Sequence, residues 1–198
     1  MTTMIRNRFC LTMAVFSTLF LTSTDTAASD GAQLAEKCDQ CHGKNGHSEK
    51  QDVPSIGGFS EFGIEDLLAS YRQGTREPRS YKLPDGSETD MKEISESLSE
   101  EDVLAVGEHY ASQPWIAQIQ PFDEQLARRG AAVHDIKCDK CHSLYGGAAE
   151  DDLAVMLGQW REYLQMEFDD FDAGKRKMAK KMCPKVCRPR DYTDWLYC

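Results

Sequence analysis

Cys38-Asp39-Gln40-Cys41-His42 and Cys138-Asp139-Lys140-Cys141-His142 are one five-residue pattern written twice, one hundred positions apart. Both have the C-x-x-C-H spacing of a c-type haem attachment site. Thiols three apart on a helical turn can each add across a haem vinyl group, and the adjacent histidine then falls under the iron as proximal ligand. A zinc ribbon would place its second C-x-x-C roughly 15–20 residues on, and a thioredoxin-like redox pair needs no histidine directly after it. The reading is two covalently bound haem c groups, held by Cys38, Cys41, Cys138 and Cys141, with His42 and His142 on the irons.

The repeat reaches beyond the cysteines. At the same offset Tyr71 aligns with Phe171, Gly74 with Gly174 and Arg76 with Arg176, so two copies of one small domain are expected. Residues 1–28 are set apart as a signal peptide: Arg6 and Arg8 precede an apolar stretch from Phe9 to Leu21, and Thr26-Ala27-Ala28 offers small residues for cleavage. The alternative is an uncleaved anchor, although the stretch is short and interrupted by Thr and Ser. Cys10 lies inside the apolar stretch and is lost with it on this reading. Residues 29–113 are expected to form the first domain, 114–122 a linker and 123–198 the second domain.

Cleavage leaves about 170 residues with a net charge near −11. Such an acidic chain excludes nucleic acid as a partner and disfavours anionic membrane surfaces, both of which reward lysine and arginine patches. It suits a basic docking patch on another redox protein, and membrane contact is expected only through such a partner. Export together with haem motifs points to the periplasm.

Helical periodicity runs through both copies. Asp30 can cap a helix from Ala32 to Cys41 that delivers the first thiols. Ile64, Leu67, Leu68 and Tyr71 stand on one face of a helix that stops at Gly74, and Ser99-Glu100-Glu101-Asp102 reads as a capping box ahead of Val103, Val106 and Tyr110. The stretch from Gly43 to Gly58 and the polar run through Pro78, Pro84 and Gly86 to Met91 read as loops. Trp115 and Ile116 are expected to pack where the linker crosses the surface. Asp123 can cap a helix through His134, and Trp160, Tyr163, Leu164, Phe168 and Phe171 share a face of another that ends near Gly174. No stretch reads as a strand. The fold class is all-α.

An iron that shuttles electrons without binding small molecules needs a sixth ligand, and methionine opposite histidine raises the potential. Met91 is the first-domain candidate. In the second domain Met182 stands nine residues before Asp191, which opens a last helix, much as Met91 stands eight before Ser99; Met178 is the competitor. Met156 and Met166 read as core fillers. His47 is too close to His42 to cross the haem, and His109 and His134 read as partly buried helix residues. The second ring nitrogen of a proximal histidine needs an acceptor; a carbonyl near Pro54 can serve His42, and one between Leu153 and Leu157 can serve His142.

These residues resemble the dihaem cytochrome c family that includes cytochrome c4 and the cytochrome subunit of flavocytochrome c sulfide dehydrogenase. The resemblance runs from Ala32 to Trp195. It is carried by Cys38 to Gly43, Pro54 with Gly57-Gly58, the Met91 stretch, Ala111-Ser112-Gln113, Leu157-Gly158-Gln159-Trp160, Tyr163-Leu164 and Arg176 to Met182. It implies two haem domains related by a pseudo-twofold axis, and a carrier of single electrons with no catalytic residues of its own. A flavoprotein subunit that oxidises sulfide is one candidate donor, and the acceptor would be a downstream partner such as another cytochrome or an oxidase. The alternatives are a haem subunit integral to a sulfide dehydrogenase complex, a dihaem peroxidase with one displaceable sixth ligand, and a zinc or disulfide protein without haem. The sequence departs from the family at its end, where Asp191 to Cys198 is short and Cys183, Cys187 and Cys198 are extra.

Overall fold

A computed structural model describes residues 30–186. The signal-peptide reading, Cys187, Cys198 and the last helix from Asp191 lie outside the described residues. The first half is built from α1 (Gly31–His42), α2 (Glu61–Arg72), a hairpin of β1 (Tyr81–Lys82) and β2 (Glu88–Thr89), α3 (Met91–Ser97) and α4 (Glu100–Ala111). The second half holds α5 (Glu124–Lys137), the short α6 (Ser143–Gly146), α7 (Arg161–Asp172) and the short α8 (Cys183–Val186).

Local chemistry sets the helix starts. The carboxylate of Asp30 accepts from the Ala32 and Gln33 amides at α1, and that of Asp123 does the same for Gln125 and Leu126 at α5. Ser99 and Asp102 form the reciprocal capping box at α4. α4 packs on both α1 and α2, and α3 closes against α2. Ala35, Phe59, Ile64, Leu68, Val103, Val106 and Tyr110 make the core, and Val155 of the second half is buried among them.

Several expectations change. The loop to Met91 contains the hairpin, because Pro84-Asp85-Gly86 is a turn: the Gly86 amide donates to Leu83 O and Asp85 accepts from the Ser87 amide and hydroxyl. Met91 opens a helix of its own, because the Asp90 carboxylate caps the Glu93 amide. Ile116 is half exposed and does not pack, whereas Trp115 lies on the first core with its ring 6.0 Å from that of Phe59. On α7 only Tyr163 of the proposed apolar face is fully buried; Glu167 and Asp170 are buried beside it. That face meets arginines from both halves, so polarity there replaces periodicity.

The halves meet reciprocally. Arg76 and Arg176 form an antiparallel bridge, with the Glu77 amide donating to Lys175 O and the Lys177 amide donating to Thr75 O, both at 2.7 Å. A local pseudo-twofold axis passes between them. Gln159 clasps Ser55 from both sides, accepting from its amide at 3.0 Å and donating to its carbonyl at 2.8 Å. The linker threads over Gly58 and Gly158, whose φ values are +81° and +77°. A Cβ at either would lie within 3 Å of Trp115 or Ala117.

Candidate haem sites

α1 carries the first motif to its last residue, His42, where Gly43 turns out of the helix at φ +75°. His42 is 8% exposed. Its Nδ1 lies 2.8 Å from Pro54 O; a carbonyl can only accept, so Nδ1 carries the proton and Nε2 keeps a free lone pair. Burial pushes the His42 pKa below its ordinary value, with the Pro54 hydrogen bond opposing. The ring is therefore held neutral and aimed, which is what a metal-ligating imidazole requires.

Cys38, Cys41 and His42 line a cavity of about 430 Å³ with Met91. Leu67, Leu68, Ile64, Phe59 and Val106 give it an apolar wall, and Arg76, Arg79, Tyr81 and Tyr163 supply polar groups at the side facing the second half. The volume is that of a small-molecule or cofactor site. The sulfurs of Cys38, Cys41, Cys138 and Cys141 are in no disulfide. Burial raises the Cys38 thiol above its usual range. A large flat apolar group with one anionic edge fits this lining, so the first site suits a haem. His47, His109 and His134 are not among the lining residues.

The second motif is set differently. α5 stops at Lys137, and Cys138–His142 form a turn in which the Cys141 and His142 amides donate to Cys138 O, both at 2.9 Å. Cys141 is exposed and Cys138 half-buried, its thiol pushed up to about 11 by burial. Among the described residues no carbonyl from 153 to 157 accepts from His142; the carbonyl pattern that repeats instead is Gly46 O with the Ile56 and Gly57 amides, matched by Gly146 O with the Met156 and Leu157 amides. Met182 is half-buried on the turn before α8, its amide on Ala179 O. The Lys185 charge bears on Cys138, so α8 lies beside the second motif. Two thiols and an imidazole repeat the first half's motif, and Met182 stands three residues before Lys185.

Sequence reasoning missed the groups that brace these motifs. Asp39 accepts from the Tyr110 hydroxyl at 2.9 Å and from the Asn45 amide at 3.1 Å, tying the first motif to α4. His134 is 1% exposed, rests 5.4 Å from the Tyr145 ring and has no partner for either ring nitrogen. Glu167 takes Arg76 at 2.5 Å and also Arg176, while Arg79 pairs with Asp170. Burial alone would raise the Glu167 carboxyl; the Arg76 and Arg176 charges outweigh it and hold it below the usual carboxylate range. The aligned Arg76 and Arg176 were the visible signal for this network.

No protein-family model matches the chain. It is 28% identical over 176 residues to cytochrome c4 of Pseudomonas aeruginosa, spanning 84% of this chain and 83% of that protein. Its fold superposes with a TM-score of 0.67 on reduced recombinant cytochrome c4 from Pseudomonas stutzeri, at 22% identity over 86% of this chain and 94% of the other. It also matches thiosulfate dehydrogenase (TsdBA) from Marichromatium purpuratum, with a TM-score of 0.64 at 20% identity, over 85% of this chain but 38% of that one.

Proposed function

Given a dihaem electron-transfer cytochrome c of the cytochrome c4 family, we propose that the chain moves single electrons in the periplasm between a redox-protein donor and a downstream cytochrome or oxidase. The observation that carries this is the His42 Nδ1–Pro54 O contact at 2.8 Å inside a cavity that also presents Cys38, Cys41 and Met91. Haem, when bound, supplies a one-electron ferric/ferrous couple. The chain's own residues do the rest.

In the first half Cys38 and Cys41 would hold the cofactor through thioether links, His42 would offer Nε2 to the iron, and Met91 would offer its sulfur. Asp90 fixes Met91 by capping α3, so the thioether does not depend on a loose loop for its position. The apolar wall of Phe59, Ile64, Leu67, Leu68 and Val106 excludes water, and a water-poor site with a thioether ligand favours the reduced iron. In the second half Cys138, Cys141, His142 and Met182 take the same parts, with Met178 as the competing thioether.

A second reading has a specific support. In thiosulfate dehydrogenase the same fold occupies 38% of a longer chain, so a fold of this kind also occurs inside an enzyme. On that reading this chain is the electron-accepting subunit of an oxidoreductase complex, with a flavoprotein as one candidate donor.

The test is expression with an export signal and cytochrome maturation machinery, followed by intact mass and absorption spectra. The expected mass includes two haems, and the ferric spectrum shows the weak near-infrared-edge band of methionine sulfur at two-haem intensity. Met91→Ala and Met182→Ala each remove half of it. An export-dependent product with no haem ends the proposal. Loss of the band from one haem in the unaltered protein instead favours a displaceable sixth site and peroxidase chemistry.

A further inference from the structure

Arg76 is the one cation of the first cavity that is buried through and through, at 4% exposure. Its Nη2 is taken from outside the first half: it donates to Tyr163 Oη at 3.0 Å and to Glu167 Oε1 at 2.5 Å, both on α7. The guanidinium lies over the Tyr71 ring, 4.7 Å from its centre. Its Nε is buried and has no partner. A buried guanidinium N–H is a strong donor whose desolvation goes uncompensated unless an acceptor meets it.

Arg79 also lines the cavity but is committed elsewhere, to Asp170, Glu167 and Met166 O. The spare donor therefore belongs to Arg76. The pseudo-twofold does not reproduce the arrangement: Arg176 has its phenyl partner, Phe171, at 4.7 Å, but the positions one hundred before Tyr163 and Glu167 are Gly63 and Leu67. Among the described residues, the ion pairs that cross between the halves take their anion from the second half.

We propose that Arg76 is a carboxylate-binding residue of the first cavity, positioned by Glu167 and Tyr163 of the second half, so that α7 sets the redox potential of the first haem. The inference rests on the haem reading above. The carboxylate is the anionic edge of the cofactor, and Nε and Nη1 are the guanidinium nitrogens that Tyr163 and Glu167 leave uncommitted. Glu167 acts through Arg76: as an anion it offsets part of the guanidinium charge that the first haem senses, and with Tyr163 it holds the guanidinium plane in place.

The experiment is a spectroelectrochemical titration of the full-length protein after intact mass has established two haems. The first haem is identified by the separate shift that Met91→His imposes on it. Arg76→Gln is expected to lower the midpoint of the first haem, since a carboxylate left uncompensated favours ferric iron; Arg76→Lys, which keeps the charge, is expected to recover part of the shift. Glu167→Gln is expected to move the first haem in the opposite direction, upward. Opposite signs from the two members of one ion pair are a signature that general loosening of the fold does not give. Equal signs, or a first haem unmoved by Arg76→Gln and Glu167→Gln in folded, two-haem protein, overturn the proposal alone. An unaltered protein without haem overturns the haem reading and this inference with it.

Discussion

At an offset of one hundred, Leu34 on α1 answers to His134 on α5, Gly63 and Leu67 on α2 answer to Tyr163 and Glu167 on α7, and Asn45 answers to Tyr145. In each pair the first half has the residue that a self-contained helical domain would choose. The second half has a bulkier or polar one: His134 and Tyr145 rest on each other, whereas Tyr163 and Glu167 reach Arg76 of the first half. Leu34 and Leu67 pack on the first core, whereas Glu167 is bound by arginines from both halves. One sequence plan thus yields a closed site in one copy and a brace for that site in the other.

The largest expected effect comes from erasing the difference at Glu167. Glu167→Leu copies the first half into the second and strands Arg76 and Arg176, and removing one partner of a buried ion pair typically costs about 3–5 kcal/mol. Denaturant unfolding should show a loss of that size; a loss below about 1 kcal/mol would mean that the arginines find other partners and that the asymmetry carries little energy.

Acid probes the same carboxylate without mutation. Its folded pKa is depressed by Arg76 and Arg176, so the unfolded chain binds the extra proton. Its stabilisation is present above the ordinary glutamate range and is lost as pH falls through the depressed folded value. Thermal melts over the acid range should show a decline in the unaltered protein that is weaker in Glu167→Gln, which begins less stable and has less to lose.

Smaller and opposite in sign is His134→Leu, which restores the Leu34 pattern. Both ring nitrogens of His134 are buried without partners, and replacing such a group by an apolar one of similar size should raise stability by about 1–2 kcal/mol. A lowered melting temperature would show that His134 has an acceptor in the haem-loaded protein. The smallest effect belongs to the turn after the second motif. Leu144 and Tyr145 stand at φ +53° and +59°, where the first half has Asn45 at +56°. Asparagine tolerates that region far better than a branched or aromatic residue. Leu144→Asn should add about 0.5–1 kcal/mol, read as a small shift in denaturation midpoint.

How much of this the sequence discloses depends on the distance over which each signal acts. The helices of the first half are local events: Asp30 as cap, the Ser99 capping box and the Ile64-Leu68-Tyr71 face are all legible because their partners lie within eight residues. The carbonyl near Pro54 as acceptor for His42 was also within reach, since the separation is only twelve residues. What stayed hidden was long-range. Glu167 looks like a solvated helix residue until Arg76, ninety-one positions earlier, is brought against it. Asp39 in the motif's interior gives no hint of Tyr110. The hairpin is signalled by Asp85-Gly86 alone, because strands of two residues are too short to show an alternating pattern.

Val155 has a consequence for how the chain can be divided. It sits at 2% exposure in the core of the first half, and Gln159 holds Ser55 of that half by both its amide and its carbonyl. A protease that nicks the chain between Ala111 and Glu124 would cut the covalent tie and leave this plug in its socket. The duplicated units have therefore given up their independence. A lone first half would carry a hole where Val155 belongs, so its core is complete only with the second half in place.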